Sequence, residues 1–201
     1  MRIHTYLKPV VFLLCLLPLV FQIYTYMYVD LANGPEYFKH ATGDWALRFL
    51  WLVLAVTPIK LMTSYTPILR YRRMLGLYAF FYVCLHLFVF GYFDVYQNSE
   101  NSWKLAFEYI AEEVLERPYI TVGFLAFLML IPLAVTSTKK ARSRMGKKWI
   151  KLHKLVYIIA ILGLLHFYWL VKKDLTEPNI YAAILAVLFL IRIVSYYRKK
   201  A

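Results

Sequence analysis

Six long apolar runs, separated by shorter polar stretches, dominate this chain. They cover residues 9–29, 45–62, 74–93, 119–135, 149–171 and 180–196. The hydrocarbon core of a bilayer, about 30 Å thick, takes roughly 17–25 apolar residues in helical form to cross. Each run is therefore predicted to be a transmembrane helix, with tilt absorbing the differences in length. Within hydrocarbon every backbone polar group must be satisfied internally, which favours helices over isolated strands. The predicted fold is all-α, a six-helix transmembrane bundle forming a single domain over residues 1–201.

Two connections stand out. Residues 30–44 contain Asn33-Gly34-Pro35, a turn signal, and read as a loop that carries His40 toward the second helix. Residues 94–118 are longer. Trp103, Phe107, Ile110 and Val114 recur there at helical spacing, while Glu108, Glu112, Glu113 and Glu116 crowd the other side and Pro118 ends the run. The prediction is a short amphipathic surface helix whose acidic face sets it apart from basic, lipid-seeking ones. It is either a solvated helix or a docking surface for a partner.

Charge orients the bundle. Eighteen of the 24 Lys and Arg residues fall on the side that holds both termini: Arg2, Lys8, four between Lys60 and Arg73, eight between Lys139 and Lys154, and four from Arg192 onward. Six fall on the other side, with all eleven Asp and Glu residues. The positive-inside bias places both termini in the cytoplasm. The net charge of +13 is then a belt facing anionic lipid, and no basic–aromatic motif suggests nucleic acid as a partner. The first run follows a basic start but is too long for a secretory signal and lacks a small-residue cleavage site, so a retained helix is expected.

Several chemistries lack their motifs. There is no Gly-x-Gly-x-x-Gly or Walker loop, so the chain cannot take hydride from a nicotinamide through a domain of its own. The two halves show no paired broken helices of the inverted-repeat transporter kind. Cys15 and Cys84 both lie in apolar runs and read as small buried residues. Without a Cys-x-x-Cys-His motif, any haem is held non-covalently.

The histidines carry the chemistry. His86, His153 and His166, three of five, lie in apolar runs, where ionisable groups are costly and commonly functional. The third and fifth helices both run outward, which puts His86 and His166 at similar outer depth, as bis-histidine haem ligation requires. Gly163, one turn before His166, can let a flat macrocycle approach. His153 lies thirteen residues before His166, about 20 Å lower on one helix and rotated by about 220° in ideal geometry, so the two do not share a face. Fourteen residues before His86 stands Arg72, a poor iron ligand but a suitable partner for a haem propionate or a flavin phosphate, or else a positive-inside anchor. His40 reads as a solvent or capping contact and His4 as a terminal residue.

Several stretches together resemble a known family. They are His40-Ala41-Thr42-Gly43, Arg72-Arg73-Met74-Leu75-Gly76-Leu77, Leu85-His86-Leu87, Arg117-Pro118-Tyr119, Thr136-Ser137-Thr138 and Leu152-His153-Lys154-Leu155-Val156-Tyr157 with the following His166. In order and over nearly the whole chain they resemble the MsrQ (YedZ) family, part of the wider ferric-reductase-like transmembrane group. The resemblance implies a bacterial inner-membrane, multi-pass protein that binds haem b, one or two per chain, and FMN. It implies His86, His153 and His166 as metal ligands, with Arg72 in the cofactor site where the wider group has a fourth histidine. It also implies electrons received from the quinone pool or a cytoplasmic flavin reductase and passed to MsrP, a periplasmic molybdopterin enzyme that reduces methionine sulfoxide in oxidised proteins. The chain would then be the electron-transfer subunit of an oxidoreductase system, with sulfoxide reduction on the partner. The basic stretch 139–148 could also attract the FMN phosphate. The residues leave two other readings open: a stand-alone transmembrane ferric or oxygen reductase, and a non-redox anchor for a periplasmic partner.

Overall fold

The computed structural model describes residues 3–97, 99, 102–171 and 174–198. Of the charges used above to orient the chain, Arg2, Glu100, Lys172, Lys173, Lys199 and Lys200 lie outside them. The described residues form helices α1 (Ile3–Tyr28), α2 (Gly34–Thr63), α3 (Arg72–Val89), α4 (Trp103–Glu116), α5 (Pro118–Val135), α6 (Lys139–Met145), α7 (Lys147–His153), α8 (Leu155–Leu170) and α9 (Thr176–Arg198). A 3₁₀ turn, Thr66–Arg70, precedes α3, and a π-helical segment, Phe90–Tyr96, continues it. Six stretches are long and apolar enough to cross a membrane: Leu7–Tyr28, Gly34–Thr63, Arg72–Tyr96, Pro118–Val135, Lys147–Leu170 and Thr176–Arg198. The six expected runs and the all-helical architecture are thus present.

Three boundaries differ from expectation, each for a local reason. The stretch read as a loop over residues 30–44 is mostly helix. Asn33 caps α2, accepting from the Glu36 N–H at 3.2 Å and donating to its carboxylate at 2.8 Å, and Pro35 sits in the first turn where its missing N–H costs nothing. His40 is therefore a helical residue, exposed and 3.6 Å from Glu36. The third helix does not stay regular to its end but widens into the π segment four residues beyond His86, a feature common at functional sites. The fifth span begins at Gly146, whose φ of +50° admits a residue without a Cβ, and tightens again at Lys154.

Interhelical hydrogen bonds hold the bundle. Van der Waals packing and such bonds must do this work in lipid, which is as apolar as the helices. The Tyr82 hydroxyl, fully buried, accepts from the Leu19 N–H at 3.1 Å and donates to the Cys15 carbonyl at 3.0 Å. It thereby enters the backbone ladder of α1 beside Pro18, where a helix opens most easily. Tyr78 donates to the Phe12 carbonyl at 2.8 Å, and both tyrosines stack on Phe49 of α2. Trp51 of α2 donates to the Tyr181 carbonyl of α9 at 3.0 Å, and Arg192 of α9 reaches the Leu54 carbonyl and the Tyr157 hydroxyl. Cys15 is buried as expected, whereas Cys84 is only half-buried; both are free thiols. Large apolar side chains such as Leu13, Phe21, Phe88 and Leu190 cover the outside, the surface that lipid would contact.

Candidate functional site

Two hairpins build the site by the same device. In the first, α2 and α3 pack together, and Nδ1 of His86 lies 2.9 Å from the Lys39 carbonyl. In the second, α5 and α8 pack together, and Nδ1 of His166 lies 2.6 Å from the Tyr119 carbonyl. A carbonyl oxygen only accepts, so each Nδ1 carries the proton and each Nε2 is left with a bare lone pair. That is the tautomer of a metal-ligating histidine, whose other nitrogen is commonly oriented by a carbonyl or carboxylate. Each ring lies over a glycine one turn beyond the accepting residue, Gly43 under His86 and Gly123 under His166.

The two rings are neighbours, with centroids 6.4 Å apart and planes 76° apart. Two metal–nitrogen bonds of about 2.0 Å, with about 1.2 Å from each nitrogen to its ring centre, require a separation of about 6.4 Å. The spacing therefore admits one metal ion between two axial imidazoles. Among the described residues no three His, Cys, Asp or Glu side chains gather as a metal site, and a pair of imidazoles on a cavity suits a ligand that brings its own donors. A planar macrocycle does so. The cavity around the pair measures about 540 Å³ and is lined mainly by apolar side chains such as Leu47, Leu50, Val83, Phe124 and Phe127, as cofactor pockets are. Gly163 lines it too, as its small size led us to expect.

Polar groups gather at one end of the cavity. Lys39 supplies its carbonyl to His86 and its ammonium to Asp94 of the π segment, at 2.7 Å. Glu113, expected on the solvated side of α4, is instead buried and lines the cavity, 2.9 Å from Arg117. It stands seven residues after the buried Ala106, on one face of the helix, a periodicity that the apolar pattern alone conceals. The amphipathic helix itself is present as predicted, although the side chains of Trp103 and Phe107 lie outside the described residues.

His153 and Arg72 lie at the opposite end of the bundle and do not line this cavity. Thr136 donates its hydroxyl to the Pro132 carbonyl at 2.6 Å, so at 3.0 Å it accepts from Nε2–H of His153. His153 thus carries its proton on the other nitrogen from His86 and His166. Trp149 stacks on its ring at 3.9 Å. Both histidines of this span nevertheless meet the same neighbour: His166 touches Tyr119 and Gly123 of α5, and His153 touches Thr136 at the end of α5. The tight turn at Lys154 explains it. Lys154 has ψ of −19°, and the bonds Lys154 N to Lys151 O and Tyr157 N to Lys154 O are of the three-residue kind. Each 3₁₀ step adds about 20° of rotation, in the direction that reduces the mismatch of an ideal helix.

The glycine cradle went unread in the sequence. Its signal was present: each glycine precedes its histidine by 43 residues, and each carbonyl-to-imidazole bond spans 47.

Comparison with known proteins agrees with this architecture. Residues 42–164 match the family described as ferric reductase like transmembrane component, a range that ends two residues short of His166. A protein-methionine-sulfoxide reductase heme-binding subunit MsrQ of Polaromonas naphthalenivorans is 45% identical over 201 residues, covering 98% of this chain and 88% of that protein. The subunit of the same name from Herminiimonas arsenicoxydans is 42% identical over the same coverage. That of Xanthomonas euvesicatoria is 51% identical over 150 residues, which span 75% of this chain and 65% of the relative. With six membrane-crossing helices and these relatives, the chain belongs to the ferric-reductase-like transmembrane family, within its MsrQ branch.

Proposed function

We propose that this chain is the haem b-binding membrane subunit of a bacterial protein-methionine-sulfoxide reductase system, seated in the inner membrane with both termini cytoplasmic. In this reading the whole chain is one electron-transfer domain. It passes electrons from the quinone pool or a cytoplasmic flavin reductase to a periplasmic molybdopterin reductase, MsrP, on which sulfoxide is reduced. The observation that carries the reading is the imidazole pair, 6.4 Å apart, each with its Nδ1 proton tied to a carbonyl, in an apolar cavity of cofactor size. When bound, the haem supplies one-electron redox chemistry at that depth.

The chain's residues do the rest. His86 and His166 would hold the haem iron, and their carbonyl partners fix tautomer and orientation. The apolar walls exclude water from the pair, and Lys39, Arg117 and Glu113 form the polar outer rim. At the other end of the bundle His153, held by Thr136 and Trp149, would ligate a second cofactor on the donor side, and Arg72 would pair with its propionate or phosphate. The FMN implied by the family would find phosphate partners at this basic end, where Lys139, Lys140, Arg142 and Arg144 lie on α6. A stand-alone oxygen reductase is disfavoured because two imidazoles that both held the haem iron would leave no open position for oxygen.

The test is a dithionite-reduced minus oxidised spectrum of the purified protein, with haem counted per chain. It is followed by reoxidation with purified molybdopterin partner and methionine sulfoxide. A b-type spectrum and partner-dependent reoxidation are expected. A colourless protein after haem-replete expression refutes the reading and leaves the membrane anchor.

A further inference from the structure

We infer that Gly43 and Gly123 are positioning residues that set the planes of the two axial imidazoles and hold them nearly perpendicular. The inference rests on the haem reading above and deepens it.

Each glycine sits in the middle of a helix, where Ala would be the better helix former. What each one provides is room. A Cβ built on Gly123 would lie 2.7 Å from Nδ1, 3.0 Å from Cε1 and 3.1 Å from Cγ of His166. A Cβ on Gly43 would lie 3.1 Å from both Nδ1 and Cε1 of His86. In both cases the atom would occupy the space across which the imidazole N–H reaches the carbonyl one turn earlier, on Lys39 or Tyr119. The ring would have to rotate or withdraw, because the carbonyl belongs to rigid helix backbone.

A Cβ on Gly34, at the start of α2, would meet the Tyr26 ring at 3.0 Å, but no histidine lies there, and the glycines further inside the helices have more room. A Cβ on Gly76 would first meet Val53, at 3.9 Å, and one on Gly163 would meet the end of Leu47, at 3.4 Å. The two cradles share their four-residue step from carbonyl to glycine and the same offset to the histidine, yet they lie on separate hairpins. Each ring plane is thus set by its own helix, and together they come to rest 76° apart. Ligand planes at such an angle give low-spin ferric haem a large-gmax paramagnetic resonance signal. Planes turned toward parallel give a smaller gmax with resolved rhombic features.

The test compares Gly123→Ala, Gly43→Ala and the control Gly76→Ala in the full-length, haem-loaded protein. It reads haem per chain, gmax and thermal stability. Gly123→Ala is expected to weaken haem retention about ten- to a hundredfold, the size of losing a partner that orients a ligand histidine, and to lower gmax. Gly43→Ala, with the less severe contact, is expected to move gmax in the same direction by less. Gly76→Ala is expected to match the parent. A merely structural role would change thermal stability and leave gmax in place. Gly123→Ala with parental gmax and parental haem content overturns the inference. Should that variant fail to insert, parental gmax in Gly43→Ala overturns it. A parent protein without haem overturns the haem reading instead.

Discussion

Replacing His166 by Ala removes one of the two imidazoles of the proposed haem site. With ring centres 6.4 Å apart, each imidazole accounts for half of the reach to a shared metal, and the Ala methyl for almost none of it. Losing only a partner that orients a ligand lowers metal affinity about 10- to 100-fold. Losing the ligand itself is therefore expected to cost at least about 100-fold, or roughly 2.7 kcal/mol. His86→Ala is expected to match it, since its ring is anchored in the same way. His153→Ala is expected to spare this haem, because His153 lies about 20 Å away along the helix and is engaged by Thr136. The assay is haem per chain from the pyridine haemochromogen, with the Soret position reporting coordination. Added imidazole should restore part of the spectrum in His166→Ala, since the vacated space lies against Gly123 and faces the cavity. Full six-coordinate haem in His166→Ala would refute the ligand assignment, and so would equal loss in all three variants.

Other consequences are as direct. Arg117→Ala strands the buried Glu113 carboxylate; because Arg117 is 51% exposed, the expected cost is about 1–2 kcal/mol, below that of a fully buried pair. Glu113→Gln should cost less, and thermal melts in detergent that give equal losses would contradict a charged role for Glu113. Tyr82→Phe removes two hydrogen bonds to α1 and is expected to cost about 1 kcal/mol, read as a lower melting temperature with the haem spectrum unchanged. Hydrogen bonding from Thr176 holds the Asp174 carboxyl below its ordinary value. Its contribution is present above the unfolded carboxylate pKa and lost as pH falls through the folded one, so Asp174→Asn should differ from the parent at neutral pH and converge with it in acid.

The six spans were legible because hydrocarbon demands continuous apolar length, and pattern alone reports that. The pairing of His86 with His166 followed from helix direction and depth. The start of α2 was hidden because Asn33-Gly34-Pro35 reads as a turn, whereas Asn33 and Pro35 serve equally as helix-start residues, and here they do. Glu113 was misplaced because a helical wheel drawn from Trp103, Phe107, Ile110 and Val114 says nothing of a cavity that an acid can line. The turn at Lys154 leaves no mark on residue type, so the relation of His153 to His166 was out of reach. Gly43 and Gly123 look like any transmembrane glycine until the ring above each is seen.

The cradle is split between two hairpins, and that division has a consequence for biogenesis. Lys39, Gly43 and His86 enter the membrane early in synthesis, whereas Tyr119, Gly123 and His166 follow, and His166 emerges only when most of the chain has been made. No nascent chain shorter than this can offer both axial nitrogens, so a cofactor captured before then would be held by one side and lost easily. Once α8 is in place, whatever bridges the imidazoles fastens the early half of the bundle to the late half. The cofactor would act as a checkpoint for completed assembly, and chains that stall before His166 would remain colourless and open to the quality-control proteases of the membrane.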